Sequence, residues 1–139
     1  MRQLVRGVQA FLADWARELR LGQTDFQALV RVVASEGMTS AELRRILGIT
    51  SGSMTELADR LEAAGLVTRV RPQEDRRSVV VKPTATGRRA VERALGPALG
   101  SVGDVVSRLA SDDLAVIAAF LSEVYEAVDV SRPRARLSP

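Results

Sequence analysis

Residues 39–61 read TSAELRRILGITSGSMTELADRL, and the spacing within that stretch decides the fold. Thr39, followed three residues later by Glu42, is a capping box, in which each side chain satisfies a backbone N–H of the other. It opens a short helix over Ser40 to Leu47, and Gly48 ends it. Thr50 or Ser51 then caps a second helix, whose apolar positions Met54, Leu57, Ala58 and Leu61 form one face. Gly65 closes that helix. Two helices separated by a short glycine-containing turn have the spacing of a helix-turn-helix.

Upstream, Leu4 to Leu21 places Val8, Phe11, Leu12, Trp15 and Leu19 on one helical face, with Gly22 as its stop. Thr24 and Gln27 repeat the capping-box spacing and predict a helix with Phe26, Leu29, Val30 and Val33, ending near Gly37. Downstream, Leu66 to Val70 and Ser78 to Val81 are β-branched runs flanking the polar segment Arg71 to Arg77. They predict a hairpin with a protruding wing. Pro83 stops the second strand, and Thr84 caps a further helix that is expected to kink or break at Gly96-Pro97. Leu99, Val102, Val106 and Leu109 keep a helical stripe. Ser111-Asp112-Asp113 then starts a last helix with the face Leu114, Ile117, Leu121, Val124 and Val128. The expected fold is mostly α with a small β-hairpin wing (α+β), in a single domain over residues 1–139.

Composition narrows the chemistry. The 139 residues include no cysteine and no histidine, and Lys82 is the one lysine. Thiol chemistry is excluded, and the commonest general base and metal ligand are missing, so neither an enzyme nor a metal or cofactor site is expected. No apolar run is long enough to span a membrane, and charges at Arg2, Arg6, Asp14, Arg17 and Glu18 interrupt the N-terminus, so the expected compartment is the cytoplasm. Charge is segregated. Residues 65–93 hold eight Lys or Arg against three acids, whereas residues 94–130 hold one Arg against six acids. Such a division suggests one surface that faces a polyanion and another that faces elsewhere.

Around the helical wheel of the second helix, Gly52, Thr55, Glu56, Asp59 and Ala63 point away from the apolar face, with Ser53 and Arg60 more marginal and Ser51 at the helix start. Short hydrogen-bonding side chains near a helix N-terminus suit a DNA major groove, although an ordinary solvated face has the same composition. In the wing, Arg69, Arg71, Arg76 and Arg77 lie within nine residues. Arginines presented by a turn suit the narrow minor groove, and Asp75 is placed to brace Arg77.

With these motifs assembled, Thr24 to Gly87 resembles the winged helix-turn-helix of the MarR family of bacterial transcription factors. The resemblance rests on Thr39-x-x-Glu42-Leu43, Leu47-Gly48-Ile49, Thr55 with Asp59-Arg60-Leu61, Gly65-Leu66-Val67, the wing signature Asp75-x-Arg77, and Thr84. It implies a DNA-reading lobe over residues 24–87, dimerisation helices over 1–22 and 88–130, and a flexible basic tail at 131–139. It also implies a sequence-specific regulator, most simply a repressor, binding a pseudopalindromic operator on double-stranded DNA as a homodimer. Ser51, Ser53 and Thr55 would then read the major groove, Arg77 would enter the minor groove, and Arg44 and Arg45 would contact phosphates. Release by a small aromatic or anionic effector is a further implication, with Phe11, Trp15 and Phe26 as the candidate pocket and Arg17 or Arg20 as anion partner, against plain packing as the simpler account of those rings. Two residues depart from the family pattern. Glu56 stands where a basic residue is common, either to accept from a cytosine amino group or to repel phosphate and lower affinity, and Pro83 replaces a leucine and is expected to shorten the second strand. The rival reading is a winged-helix protein–protein interaction module with weak or no DNA binding.

Overall fold

The computed structural model describes residues 2–73 and 78–130. In chain order the elements are α1 (Arg2–Glu18), α2 (Gln23–Ala34), β1 (Met38–Thr39), α3 (Ser40–Leu47), α4 (Ser51–Ala63), β2 (Val67–Val70), β3 (Val80–Pro83), α5 (Ala85–Val106) and α6 (Ser111–Val130). The chain divides into two compact units, Met1–Gly96 and Pro97–Pro139.

The first unit is built around α4. Met54, Leu57, Ala58 and Leu61 are all buried, as their periodicity predicts. They pack with Ala28, Leu29 and Val32 of α2, Leu43 of α3, Val67 of β2, Val81 of β3, and Ala90 and Val91 of α5. A second cluster joins Ala16 of α1, Phe26 of α2 and Ala94 of α5, bordered by Leu12, Trp15, Leu19 and Leu95. Beside the core lies an antiparallel sheet in the order β1-β3-β2. Val67 pairs with Pro83 and Arg69 with Val81, while Met38 pairs with Val81 on the other side.

The capping box forms as its spacing predicts. The Glu42 N–H donates to Thr39 Oγ1 at 3.2 Å, and the Thr39 N–H donates back to Glu42 Oε2 at 3.0 Å. The Thr39 hydroxyl also donates to that carboxylate at 2.7 Å, and these bonds hold the Glu42 carboxyl below the usual carboxylate range. Gly48 caps α3 at φ 66°, a left-handed value that glycine adopts without a side-chain penalty. Replacing Thr39 with alanine should lower stability by about 1 kcal/mol, the usual cost of a lost N-cap. Urea unfolding would check this; an unchanged midpoint would mean that α3 does not depend on its cap.

Several local expectations are corrected. α1 ends at Glu18 and the chain turns at Arg20, short of the expected stop at Gly22. Arg20 takes the left-handed conformation (φ 56°), and the Leu21 N–H bonds back to Ala16 O at 2.8 Å. Gly22 becomes the N-cap of α2, with no side-chain cap bond, so Thr24 lies inside the first turn and the Thr24–Gln27 box does not form. α2 stops at Ala34 before reaching Gly37. The two-residue strand β1 is not expected from the sequence and exists through its pairing with β3.

The second strand runs from Val80 to include Pro83, where it was expected to begin at Ser78 and stop short of the proline. Pro83 costs the ladder little, because β1 reaches only to the level of Val80 and Val81. Thr84 caps α5, accepting from the Gly87 N–H at 3.0 Å and donating to Gly65 O at 2.7 Å. α5 continues through Gly96-Pro97 without a break. A proline removes one helical hydrogen bond, and here the helix bridges that loss.

The second unit holds the end of α5 and α6, and much of its apolar surface is uncovered in the single chain. Leu99, Val102, Val105, Val116, Phe120, Leu121 and Tyr125 are all more than half exposed. Among the described residues, no helix is long and apolar enough to cross a membrane.

Candidate nucleic-acid interface

The N-terminal turn of α4 begins at Thr50, whose hydroxyl accepts from the Ser53 N–H at 3.2 Å and lies 2.9 Å from Ser53 Oγ. Thr55 Oγ1 donates to the Ser51 carbonyl at 3.1 Å. Gly52, Thr55 and Glu56 are exposed, as their placement opposite the apolar face predicts, and Ser51 and Ser53 are exposed as well. Two of them, Ser51 and Thr55, open onto a groove of 520 Å³ whose other polar and charged walls are Ser40, Arg44, Arg69 and Arg71. Thus α3, the start of α4 and the base of the wing converge on one cationic concavity with hydroxyls in its wall. Arg45 is exposed outside this groove, on the side of α3 that carries Glu42. Asp75, Arg76 and Arg77, with the brace expected between Asp75 and Arg77, lie outside the described residues.

Two arginines read from sequence as facing outward are held by acids. Arg69 is two-thirds buried, and its guanidinium reaches Glu62 Oε2 at 2.5 Å and Asp59 Oδ1 at 2.7 Å. Its backbone N–H also donates to Glu62 Oε1 at 3.1 Å. Those bonds raise the Arg69 pKa and lower that of Glu62. Arg69 therefore ties the strand entering the wing to the last turns of α4, whereas Arg71 at the wing's base is exposed. Arg60, grouped from sequence with the outward face of α4, makes a two-pronged contact with Asp25: Nε to Oδ2 and Nη2 to Oδ1, each 2.8 Å. The Asp25 carboxylate raises the Arg60 pKa further above its ordinary value. Sequence reasoning missed Asp25, the one charged residue that is buried among those described. Its signal was available, since an acid at the third position of a helix complements the helix dipole.

The candidate effector residues are neighbours in the single chain, with Trp15 packed against the cluster that contains Phe26. Phe26 is fully buried in the cluster with Ala16 and Ala94, so it serves as core. Phe11 and Trp15 are half-buried and meet edge to face, their ring centroids 6.5 Å apart. Of the two proposed anion partners, Arg17 pairs with Asp14, and Arg20 borders a separate groove beside Asp25 and Arg60.

Comparison with known proteins agrees with this arrangement. The MarR family model matches residues 21–78. An uncharacterized HTH-type transcriptional regulator of Bacillus subtilis, YcgE, is 30% identical over 114 residues, covering 82% of this chain and 74% of the relative. The fold is shared with a point mutant of MepR from a multidrug-resistant clinical isolate of S. aureus (TM-score 0.76, 18% identity, 91% of this chain and 93% of that one). It is also shared with FabT of Streptococcus pneumoniae in complex with DNA (TM-score 0.72, 20% identity, 94% and 96%). The family's members regulate transcription rather than catalyse a reaction. Fold, matched segment and relatives converge: the chain belongs to the MarR family and is a winged-helix, DNA-binding transcriptional regulator.

Proposed function

We propose that the protein represses transcription by binding a pseudopalindromic operator as a homodimer. The observation that carries this reading is the groove in which Ser51 and Thr55 of α4 lie beside Arg44 and Arg71. Hydroxyls at a helix N-terminus reach base edges in the major groove, and the flanking arginines hold phosphates on either side. Arg45 adds a phosphate contact from α3, and Arg77 of the wing reads the adjacent minor groove. Gly52 lets the backbone approach the DNA, and Glu56 accepts from a cytosine amino group.

Dimerisation uses the N-terminal helix and residues 88–130. Support comes from the uncovered apolar side chains on α1 (Val5, Val8), α5 and α6, which a single chain leaves in water. Two-fold symmetry then sets half-sites about one helical turn apart. A small aromatic or anionic effector releases the DNA by favouring a dimer geometry that does not match that spacing.

The test is a titration into fluorescent DNA from upstream of the protein's own gene, beside scrambled DNA, at several salt concentrations. The upstream DNA should bind tighter, in dimer stoichiometry and with steep salt dependence. Arg44→Ala and Arg71→Ala should each reduce the salt slope by about 0.9, as expected for one lost phosphate contact. Arg77→Ala should cost on the order of 1–3 kcal/mol on upstream DNA if that side chain makes a strong groove contact. Equal, weak binding to both DNAs that ignores all three substitutions would sink the reading and favour a protein-binding module.

A further inference from the structure

The Asp25–Arg60 pair joins the two helices that matter most for presenting the reading surface. Asp25 is the third residue of α2, and Arg60 lies in the last turn of α4. Around the pair, Leu29 and Val32 of α2 share one apolar cluster with Met54, Leu57 and Leu61 of α4. Apolar contacts of that kind tolerate sliding and rotation, because dispersion has little directional preference. A planar guanidinium fork on a carboxylate does not.

The geometry is also asymmetric. The Asp25 side chain is 6% exposed, whereas that of Arg60 is 55% exposed. A carboxylate so enclosed has few alternatives to its partner, so the guanidinium is drawn onto it although about half of the Arg60 side chain faces water. The turn between α1 and α2 closes over the acid: a side chain at Gly22 would sit 3.7 Å from Asp25 Oδ2. Leu19, Arg20, Leu21, Gly22, Ala63 and Ala64 wall the groove around the pair.

We infer that Asp25 and Arg60 are positioning residues: the pair sets the rotation and height of α4 against α2, and Arg60 is not a DNA contact. This rests on α4 being the DNA-facing helix. It adds that sequence discrimination depends on a carboxylate outside the DNA-reading helix, in the first turn of α2.

Three measurements on the full chain decide the matter, using Asp25→Asn and Arg60→Lys. Asn keeps the size of Asp25 without its charge, and Lys keeps the charge of Arg60 without the fork. Both variants should lose about tenfold in affinity for upstream DNA while keeping wild-type affinity for scrambled DNA, the loss of one good bidentate contact's worth of discrimination. Their salt slopes should match the wild type, because no phosphate contact is removed. Simple loss of folded protein would instead weaken both DNAs in proportion. If Arg60 is a phosphate contact, Asp25→Asn should free it and strengthen binding to both DNAs, and that outcome overturns the inference. Amide hydrogen exchange supplies the readout that needs no DNA. In both variants the last turn of α4 and the first turn of α2 should exchange faster, while α3 and β3 stay protected. Wild-type protein that cannot tell the two DNAs apart would defeat the DNA-facing reading of α4. Unchanged exchange in α4 would defeat the positioning role by itself.

Discussion

Gly87→Ala should destabilise the protein by about 3 kcal/mol or more, toward the upper end of what overpacking costs. Gly87 lies in the first turn of α5 and is buried against Leu66, the residue before β2. A Cβ there would lie 2.1 Å from the Leu66 carbonyl oxygen and 3.0 Å from its carbon, with Leu29 Cδ1 at 3.3 Å. A side chain could rotate away from such a clash, but this obstacle is backbone. The Leu66 carbonyl also accepts the Thr84 N–H at 3.1 Å, so moving it breaks the bond that seats the start of α5. Gly96 of the same helix is the control: nothing lies within 4 Å of its hypothetical Cβ. There alanine should be neutral or stabilising by up to about 1 kcal/mol, from helix propensity alone. Guanidinium unfolding of both variants would compare the two signs directly. Equal stability of the Gly87 variant and the wild type would mean that α5 does not approach β2 this closely.

Phe26→Ala should be comparably severe, at about 3–5 kcal/mol, the range for emptying a buried phenyl site. Phe26 is fully buried between Ala16 and Ala94, and neither alanine can extend to fill the space it would leave. Phe26→Leu should cost much less, since it restores most of the volume. This series also separates two accounts of the ring. Core packing ranks the variants by volume in thermal unfolding without any ligand. If the ring instead lined a cavity for an effector, both variants would unfold like the wild type, and the role assigned here would fail.

The helix-turn-helix was legible in the sequence because its determinants are local. Thr39, Glu42, Gly48 and the apolar face from Met54 to Leu61 lie within 23 residues, and each acts on its immediate neighbours. The exposed face of α4 followed from the same wheel. Legibility failed where tertiary contacts overrode local signals. Thr24 and Gln27 have capping spacing, but α2 has already begun at Gln23, with Asp25 packed under Arg60 and Phe26 in the core. β1 has no local signature, because two residues become a strand only when β3 lies beside them. The charged residues were hardest. Arg69 and Arg60 look alike in a charge count, yet their acids lie 7 and 35 residues away, and only the folded chain shows which cations are already taken.

The division of labour on α4 also has an evolutionary consequence. Thr50 seals the helix start, while Met54, Leu57, Ala58 and Leu61 carry its burial. Ser51, Gly52, Thr55 and Glu56 stand outside the core, so replacing them disturbs little of what keeps the chain folded. A duplicated copy of this gene is therefore free to wander toward new binding partners through mutations at these positions while its melting temperature barely moves. The helix can change its vocabulary without relearning its grammar.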